Sequence, residues 1–464
     1  MYQVPQHIDK NKIFIVQRSE IECRLDPKMA LYNRKVQNSL YPKVRLKDLI
    51  VCKPQYGAGE PGIERKNVSD ARYIRITDID ENGLISQDDL GATANYIEDK
   101  YILNENDILI ARSGNTVGKA YIHKSAPYDC FFAGYLIRFI IDKRKALPEY
   151  VFTFTQLNTY KDWVKAVQRT SGQPNINSEE YQSLEIPLPD IDKQQEIVDI
   201  INSAYLQKRQ KESEAQLLLD SIDAYILNEL GVTLPEIKTD LKSRMFLVNR
   251  SELEERLDPT VYKDGTKLIS SLFENVKLSH VAFVNPGGAY KGKPIGTSIS
   301  FIPMEVIDEV YSEISSQGET TIADSSGFTK FKEGDLLWAK ITPCMQNGKS
   351  AIARDLTNGL GCGSTEFFVL RPKDERLSVE YLHVILHLKC VRETAMLYFG
   401  GSAGQQRVSA SFLENFNLPL PSFTKQQEIA NHIYAIRQQA KQLQEEGKSM
   451  LENAKKEVEQ MIIG

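Results

Sequence analysis

The chain has 464 residues, 41% of them apolar and 26% charged, and its 57 Lys and Arg against 62 Asp and Glu leave a net charge of −5. That length implies about three domains of roughly 150 residues, with enough chain to bury more than one core without disulfides or metals. The composition excludes an extensively disordered, collagenous or mucin-like chain, and the charge excludes a histone-like blanket of positive side chains.

In chain order, the N-terminal MYQVPQHIDKNK has no hydrophobic signal core. A short helix is predicted next, opened by the capping box Ser19-x-x-Glu22 and ended or kinked by Pro27. Four alternating segments then predict strands: VRLKDLIVC (44–52), ARYIRITDID (71–80), DILIARSG (107–114) and FFAGYLIRFIID (131–142). A helix is expected over 148–168, followed by the extended segment Ile186-Pro187-Leu188-Pro189. A long helix runs from Lys193 to Leu230, with Asp192 as the prospective N-cap and Gln195 three residues on. Its apolar positions Ile197, Ile201 and Ala204 give way to polar ones near Lys208 and Lys211, then recover at Ala215, Leu218 and Ile222.

The series then repeats. Ser251-x-x-Glu254 and Pro259 open it, a helix is expected over 379–398, and Leu418-Pro419-Leu420-Pro421 precedes a second long helix behind Thr424 and Gln427. In that helix Ile429, Ile433, Ile436, Ala440, Leu443, Gly447, Met450 and Ala454 alternate steps of four and three, an a/d seam of about four heptads. The two long helices, each about 55 Å at 1.5 Å per residue, are expected to pair as an antiparallel coiled coil that spaces two domains.

The repetition is an internal duplication. Residues 16–27 (VQRSEIECRLDP) match 248–259 (VNRSELEERLDP) at nine of twelve positions, and 186–201 match 418–433 at nine of sixteen, both at an offset of 232. Val44 and Leu46 return as Val276 and Leu278, and Gly172-Gln173 returns as Gly404-Gln405. ENDILIARSGNTVGK (105–119) resembles EGDLLWAKITPCMQNGK (333–349) with its register slipped. The ends of each half agree, and the middles at roughly 45–185 and 277–417 agree only in patches. A shared scaffold with two different reading surfaces has that pattern, and like halves predict an internal pseudo-two-fold. The expected architecture is mixed α/β (α+β): tandem domains at 1–190 and 241–421, a central long helix with linker at 191–240, and a closing long helix at 422–464.

Catalytic motifs are missing. Gly348-Lys349-Ser350 has the tail of a P-loop, but Pro343 stands where its first Gly belongs. The glycines of 400–404 follow a helical pattern and not a strand. No Asn/Asp-Pro-Pro-aromatic tetrapeptide of amino-methyltransferases occurs. His383, His387 and Cys390 share a helix face without an HExxH glutamate and are read as partly buried helix residues, with no metal site assigned. The six cysteines never form a CxxC pair and read as reduced thiols of a cytoplasmic protein. No apolar stretch approaches the roughly 18 residues of a membrane span.

What remains is a recurrent loop chemistry. Arg112 to Lys119 (with Ser113, Asn115 and Thr116) and Lys340 to Lys349 (with Thr342, Gln346 and Asn347) each begin and end in a cation, with glycines and small polar groups between. Arg169 to Asn177 (with Gln173 and Asn175) and Gly400 to Arg407 (with Gln405) repeat that composition. A more variable loop, Glu64 to Lys66 or Tyr290 to Lys293 with Lys291, adds cations. Lys and Arg neutralise phosphates, glycine lets backbone N–H groups approach them, and Asn, Gln and Arg form bidentate bonds with base edges. These sixteen side chains are the candidate DNA contacts.

The layout resembles the specificity (S) subunits of type I restriction-modification enzymes over essentially the whole chain. The resemblance is carried by two variable domains in tandem, the P-L-P segments, the repeated KQQEI at 193–197 and 425–429, the strands leading to Arg112 and Lys340, and SGQPNIN at 171–177. It implies two target recognition domains, each reading half of a bipartite, asymmetric sequence in double-stranded DNA. It also implies docking of two methyltransferase subunits that carry S-adenosylmethionine and methylate adenine N6. Nuclease-translocase subunits using ATP and magnesium would complete a restriction enzyme, and this chain would be non-catalytic. Gly-Gln-Gln-Arg (404–407) departs from Gly-Gln-Pro-Asn (172–175), which leaves open whether both loops contact DNA alike. Two alternatives stand beside this reading: a subunit serving a solitary methyltransferase or related defence complex, and an elongated protein-interaction scaffold that does not touch DNA.

Overall fold

The computed structural model describes residues 27–36, 39–85, 90–168, 173–235, 261–262, 265, 267–401 and 405–464. The capping boxes at 19–22 and 251–254, the repeat at 248–259 and the candidate contact Arg169 lie outside the described residues. Two compact units are present: Met1–Gln210 with Glu446–Gly464, and Lys211–Glu445. Both long helices, Ile191–Glu229 and Phe423–Ile463, contribute residues to each unit.

In the first unit, the strand Lys43–Arg45 pairs antiparallel with Glu185–Pro187, placing Val44 opposite Ile186. In the second, Glu274–Lys277 pairs with Asn417–Leu420 and places Val276 opposite Leu418. Both partners are displaced by the offset of the sequence repeat, so the duplication is a duplication of fold. Proline sits comfortably in these segments because each is an edge of a two-stranded ladder, where its missing N–H costs no bond.

Beside its two-stranded ladder each unit carries two four-stranded sheets. In the first unit the strand orders are 55–56, 136–139, 108–111, 120–122, and 63–64, 92–93, 72–74, 130–132. In the second they are 282–284, 367–372, 336–339, 350–352, and 318–321, 298–302, 360–363, 329–332. The first sheets correspond strand for strand. The second sheets share a parallel pair, 72–74 with 130–132 and 298–302 with 360–363, but carry their fourth strand on opposite edges. The divergent sequence middles are therefore divergent sheet edges around a common centre.

Helices cover the first sheet on one side. The single helices expected over 148–168 and 379–398 are each two: Pro148–Gln156 with Asn158–Val167, and Val379–His387 with Lys389–Met396. The break falls at Leu157 and Leu388, both extended in ψ and both fully buried. Burying that leucine in the core outweighs a continuous helix. Three strand expectations also change. In ARYIRITDID only Arg72–Ile74 is strand, and Ile76–Asp78 forms a short 3-10 turn in which the Asp78 carboxylate accepts the Arg75 N–H at 2.8 Å. In VRLKDLIVC only Lys43–Arg45 is strand, and Leu46–Leu49 makes one helical turn that buries both leucines at i, i+3. FFAGYLIRFIID contains two strands, Cys130–Phe132 and Leu136–Phe139, which belong to different sheets.

The long helices pair antiparallel within each unit. In the first, Ile197, Val198, Ile201 and Ala204 share a core with Leu451, Ala454, Val458 and Ile462. A Cβ on Gly447 would lie 3.3 Å from the Lys208 backbone. In the second, Ala215 meets Ala440 and Leu443, and Ile222 and Ile226 join Ile429, Ile433 and Ile436. Lys425 closes that end on Glu229 at 2.6 Å. The expected seam holds except at Met450, which is exposed while Leu451 is buried. The N-caps also lie two residues earlier than expected. The Asp190 carboxylate accepts the Lys193 N–H at 2.8 Å, and the Ser422 hydroxyl accepts the Lys425 N–H at 3.4 Å. Asp192 and Thr424 are already helical. Among the described residues no helix is long and apolar enough to cross a membrane.

Candidate nucleic-acid interface

Buried strands deliver the first pair of loops. Ile108–Ala111 is wholly buried and ends at Arg112, and Ala120–Ile122 returns antiparallel beside it. The loop between turns on Gly114 and Gly118, at φ 75° and 87°. Gly118 has no room for a side chain, because a Cβ would stand 2.7 Å from Val164. Its carbonyl accepts the Tyr160 hydroxyl at 2.9 Å.

Residues 173–177 are bonded to this loop. The Ile176 N–H donates to the Arg112 carbonyl and the Gly114 N–H to the Pro174 carbonyl, both at 2.9 Å, and Ser113 faces Asn175. Asn177 then caps the helix Ser178–Gln182. Ser113, Asn115, Thr116, Gln173 and Asn175 are thus brought into one cluster, with Asn115 and Gln173 exposed. The Thr116 hydroxyl donates back to Ser113 at 3.4 Å. Arg112 lies over the Tyr56 ring at 4.9 Å, and its Nε has no hydrogen-bond partner. Lys119 is half-buried at the end of the loop, where its carbonyl accepts the Ala111 N–H at 2.8 Å.

The second unit builds the same junction. The Val408 N–H donates to the Lys340 carbonyl at 2.9 Å, the Thr342 N–H to the Gln406 carbonyl at 3.0 Å, and Ile341 faces Arg407. Aligned on these bonds, Lys340 takes the place of Arg112, Thr342 that of Gly114, and Arg407 that of Asn175. Gly348 at φ 86° matches Gly118. The junction is common to both units; the side chains on it differ.

Those side chains are tied down more in the second unit. Arg407 makes a bidentate pair with Glu366 at 2.8 and 2.9 Å and also donates to the Gln405 carbonyl at 3.1 Å. That bond holds the Glu366 carboxyl below its usual range and raises the Arg407 guanidinium. Asn347 donates to the Glu309 carboxylate at 3.2 Å, and Lys349 reaches the Met304 carbonyl at 3.3 Å. Gln346 touches the Met396 sulfur at 3.9 Å, and its carbonyl accepts Arg392. Lys340 lies 5.6 Å from the Phe368 ring centre, and the buried Thr342 hydroxyl has no partner. Gln405 is exposed.

The third loops differ from expectation in one respect. Lys291 is exposed on a turn closed by its own N–H on the Gly288 carbonyl. In the first unit, however, Arg65 is 1% exposed: its guanidinium donates to the carbonyls of Asp70, Leu90 and Val68 and stacks 4.0 Å over Tyr128. Arg65 organises its loop from inside and adds no surface cation.

Sequence reasoning missed Tyr56 and Glu366, the partners that orient Arg112 and Arg407. Neither has a local signal, since each lies more than forty residues from its arginine. The helix histidines are buried. The His383 Nε2 lies 3.1 Å from the Ser350 hydroxyl, and the His387 Nδ1 lies 3.2 Å from that of Ser312. Burial holds both rings well below the usual histidine range.

Comparison with known proteins places this geometry in a family. The profile of the type I restriction modification DNA specificity domain matches residues 39–218 and again 272–453. The EcoEI specificity subunit of Escherichia coli is 33% identical over 197 residues, covering 41% of this chain and 32% of that protein. The EcoAI specificity subunit of Escherichia coli is 30% identical over 216 residues, covering 46% of this chain and 34% of that protein. The matches span about a third of the length of these two relatives. A chain solved in work on complex assembly and conformational transition of the type I R-M system superposes with a TM-score of 0.51 at 14% identity, covering 90% of this chain and 95% of that one. At that identity the likeness shows the fold alone. With one domain match over each half, the chain belongs to the type I restriction modification DNA specificity domain family.

Proposed function

We propose that this chain is the DNA-reading specificity subunit of a type I restriction-modification complex. Each unit reads one half of a bipartite target, and because the loop side chains differ between units the two half-sites differ as well. The observation that carries this reading is the loop junction built twice with the same backbone bonds and different polar groups: Ser113, Asn115, Gln173 and Asn175 in one unit, Thr342, Gln405 and Arg407 in the other. Constant backbone bonds position the loops, and variable side chains specify the bases.

Arg112, Lys119, Lys340 and Lys349 supply phosphate contacts in this account, and Lys291 adds one on a separate turn. The chain itself is non-catalytic. Two methyltransferase subunits carrying S-adenosylmethionine modify adenine N6, and nuclease subunits bring ATP and magnesium where a restriction activity is present. The modest cation count of the chain fits such a division, since partner subunits share the phosphate neutralisation.

The test is exchange of residues 45–185 for the corresponding domain of another family member, in complex with the methyltransferase subunit. One half of the modified sequence changes and the other stays. A change in both halves, or in neither, contradicts the assignment.

A further inference from the structure

Besides the shared core and the Gln194 and Gln426 bonds, a hairpin tip joins each recognition domain to its helices. In the first unit Ile79 and Ile85 form a bridge, and the Asp80 carboxylate accepts the Asn82 and Leu84 N–H groups at 2.8 Å each, so a tight hairpin presents Asn82 at its tip. Both long helices hold that tip. The Asn82 carbonyl accepts the Tyr205 hydroxyl at 3.1 Å, and its side-chain oxygen accepts the buried Lys455 ammonium at 3.1 Å. Gly83, at φ 74°, lies against the Ala120 carbonyl and the Phe152 ring, and Ala120 directly follows Lys119.

The equivalent hairpin of the second unit makes the contact with different chemistry. Ile307 bridges to Ile314, and the Asp308 carboxylate accepts the Val310 and Tyr311 N–H groups at 2.8 and 2.6 Å. Glu313 accepts the Gln438 amide at 2.8 Å and the Lys441 ammonium at 2.7 Å, while Tyr311 packs on Ala215, Ala440 and Leu443. Glu309, on the same hairpin, holds Asn347 of the reading loop. One end of the hairpin therefore touches the loop and the other touches the helix pair. The contact recurs although its residues have been replaced, which a merely space-filling turn does not require.

We propose that hairpins 79–85 and 307–314 are positioning elements that hold each recognition domain at one angle on its own helix pair, and so limit the number of base pairs accepted between the half-sites. Each domain already shares an apolar core with its helices and is bonded to them through Gln194 or Gln426. The polar bonds at the hairpin tip add a further directional attachment that opposes tilting on that core. Recognition loops tolerate only about 10–20° of misorientation, and one base pair advances the DNA by about 3.4 Å. Loss of the bracket therefore admits neighbouring spacings while leaving the bases read at each half-site unchanged. This inference rests on the bipartite reading proposed above.

The experiment expresses the full chain with its methyltransferase subunit in cells lacking adenine methylation and maps every modified site. The wild-type chain gives one split motif with one spacing. In Glu313→Lys, sites whose half-sites are one base pair nearer or farther apart rise roughly fivefold, with both half-sites unchanged in sequence. Adding Lys441→Glu restores strict spacing. Glu313→Ala, which introduces no like charge, shows the same relaxation more weakly and covers the case in which Glu313→Lys does not fold. Strict wild-type spacing in a folded, active Glu313→Ala chain overturns the inference while leaving the bipartite reading intact. Equal loss of base discrimination at both half-sites overturns it as general destabilisation. A wild-type chain that yields no split motif overturns the reading of function and this inference with it.

Discussion

Gln426 is buried at the start of the second long helix, and its side-chain oxygen accepts the Ser378 N–H at 2.8 Å. Its amide donates to the Arg376 and Pro421 carbonyls at 2.7 and 2.9 Å. Gln194 does the same in the first unit, accepting the Leu147 N–H and donating to the Pro189 carbonyl, both at 2.8 Å. The repeated KQQEI thus has a physical reason: its first glutamine bonds the long helix, the P-L-P strand and the start of the domain helix to one another.

Replacing Gln426 by Leu keeps the volume roughly constant and strands one N–H and two carbonyls. Each buried polar group left without a partner costs on the order of 1–3 kcal/mol. Chemical denaturation of Gln426→Leu is expected to show a loss of about 3 kcal/mol or more, and Gln427→Leu, on the exposed neighbour, almost none. Equal losses for the two would remove the argument.

His123 of the first unit is held below the usual histidine range by burial, but the second unit, with two such rings, should be the more acid-sensitive. Burial pushes His383 down to about 3 and holds His387 well below its usual range, with the nearby Arg437 guanidinium acting in the same direction. Both rings are neutral when folded, whereas in the unfolded chain they take up protons below about pH 6.5. Stability is therefore fully present above about pH 6.5 and falls as the pH drops from there towards the folded values, by on the order of 1.4 kcal/mol per pH unit for each ring. Melting of His387→Gln between pH 7 and pH 5 should show a shallower slope than the wild-type chain. An unchanged slope would assign the acid sensitivity elsewhere.

Asn115 stands exposed at the tip of its loop, and no backbone bond of the junction uses its side chain. Asn115→Ala should relax discrimination at one base pair of one half-site by about 1–3 kcal/mol, without changing the other half-site. Competition binding with single-base variants of the target reads this directly. A uniform loss over all sequences would mean that Asn115 supports the loop and does not read a base.

Glu366 gives a prediction of the opposite sign. Its carboxylate now pairs with Arg407, so Glu366→Gln releases a guanidinium beside the loop junction. Binding to DNA at low salt should tighten, and the dependence of log K on log salt should steepen by about one unit. Weaker binding at low salt would contradict this release of charge.

Much of this organisation is legible in the sequence where the determinants are local or repeated. The equivalence of the Val44–Ile186 pair with the Val276–Leu418 pair follows from one offset, and the helix seams follow from the spacing of Ile197, Ile201 and Ala204. Arg112 and Lys340 can be placed because each follows a buried strand whose pattern is plain. The failures have physical causes. Val44, Leu46 and Ile50 alternate as in a strand, whereas Leu46 and Leu49 at i, i+3 share a face only in a helical turn, and burial of both decided for the turn. Met450 and Leu451 are both apolar neighbours at the seam, and only packing against the partner helix selects Leu451. Arg65 looks like a surface cation until it is buried among the carbonyls of its own loop and of Leu90, and Arg407 like a free one until the Glu366 carboxylate pairs with it.

The central claim is that this chain confers a split, asymmetric DNA sequence on a methyltransferase that lacks one alone. Its most direct test is single-molecule sequencing of DNA from cells without adenine methylation, expressing the methyltransferase subunit with or without this chain. The account predicts modified adenines in two unlike half-sites at a fixed separation, present only with the chain. Modification that is independent of the chain, or none at all from a stable purified complex, would contradict it.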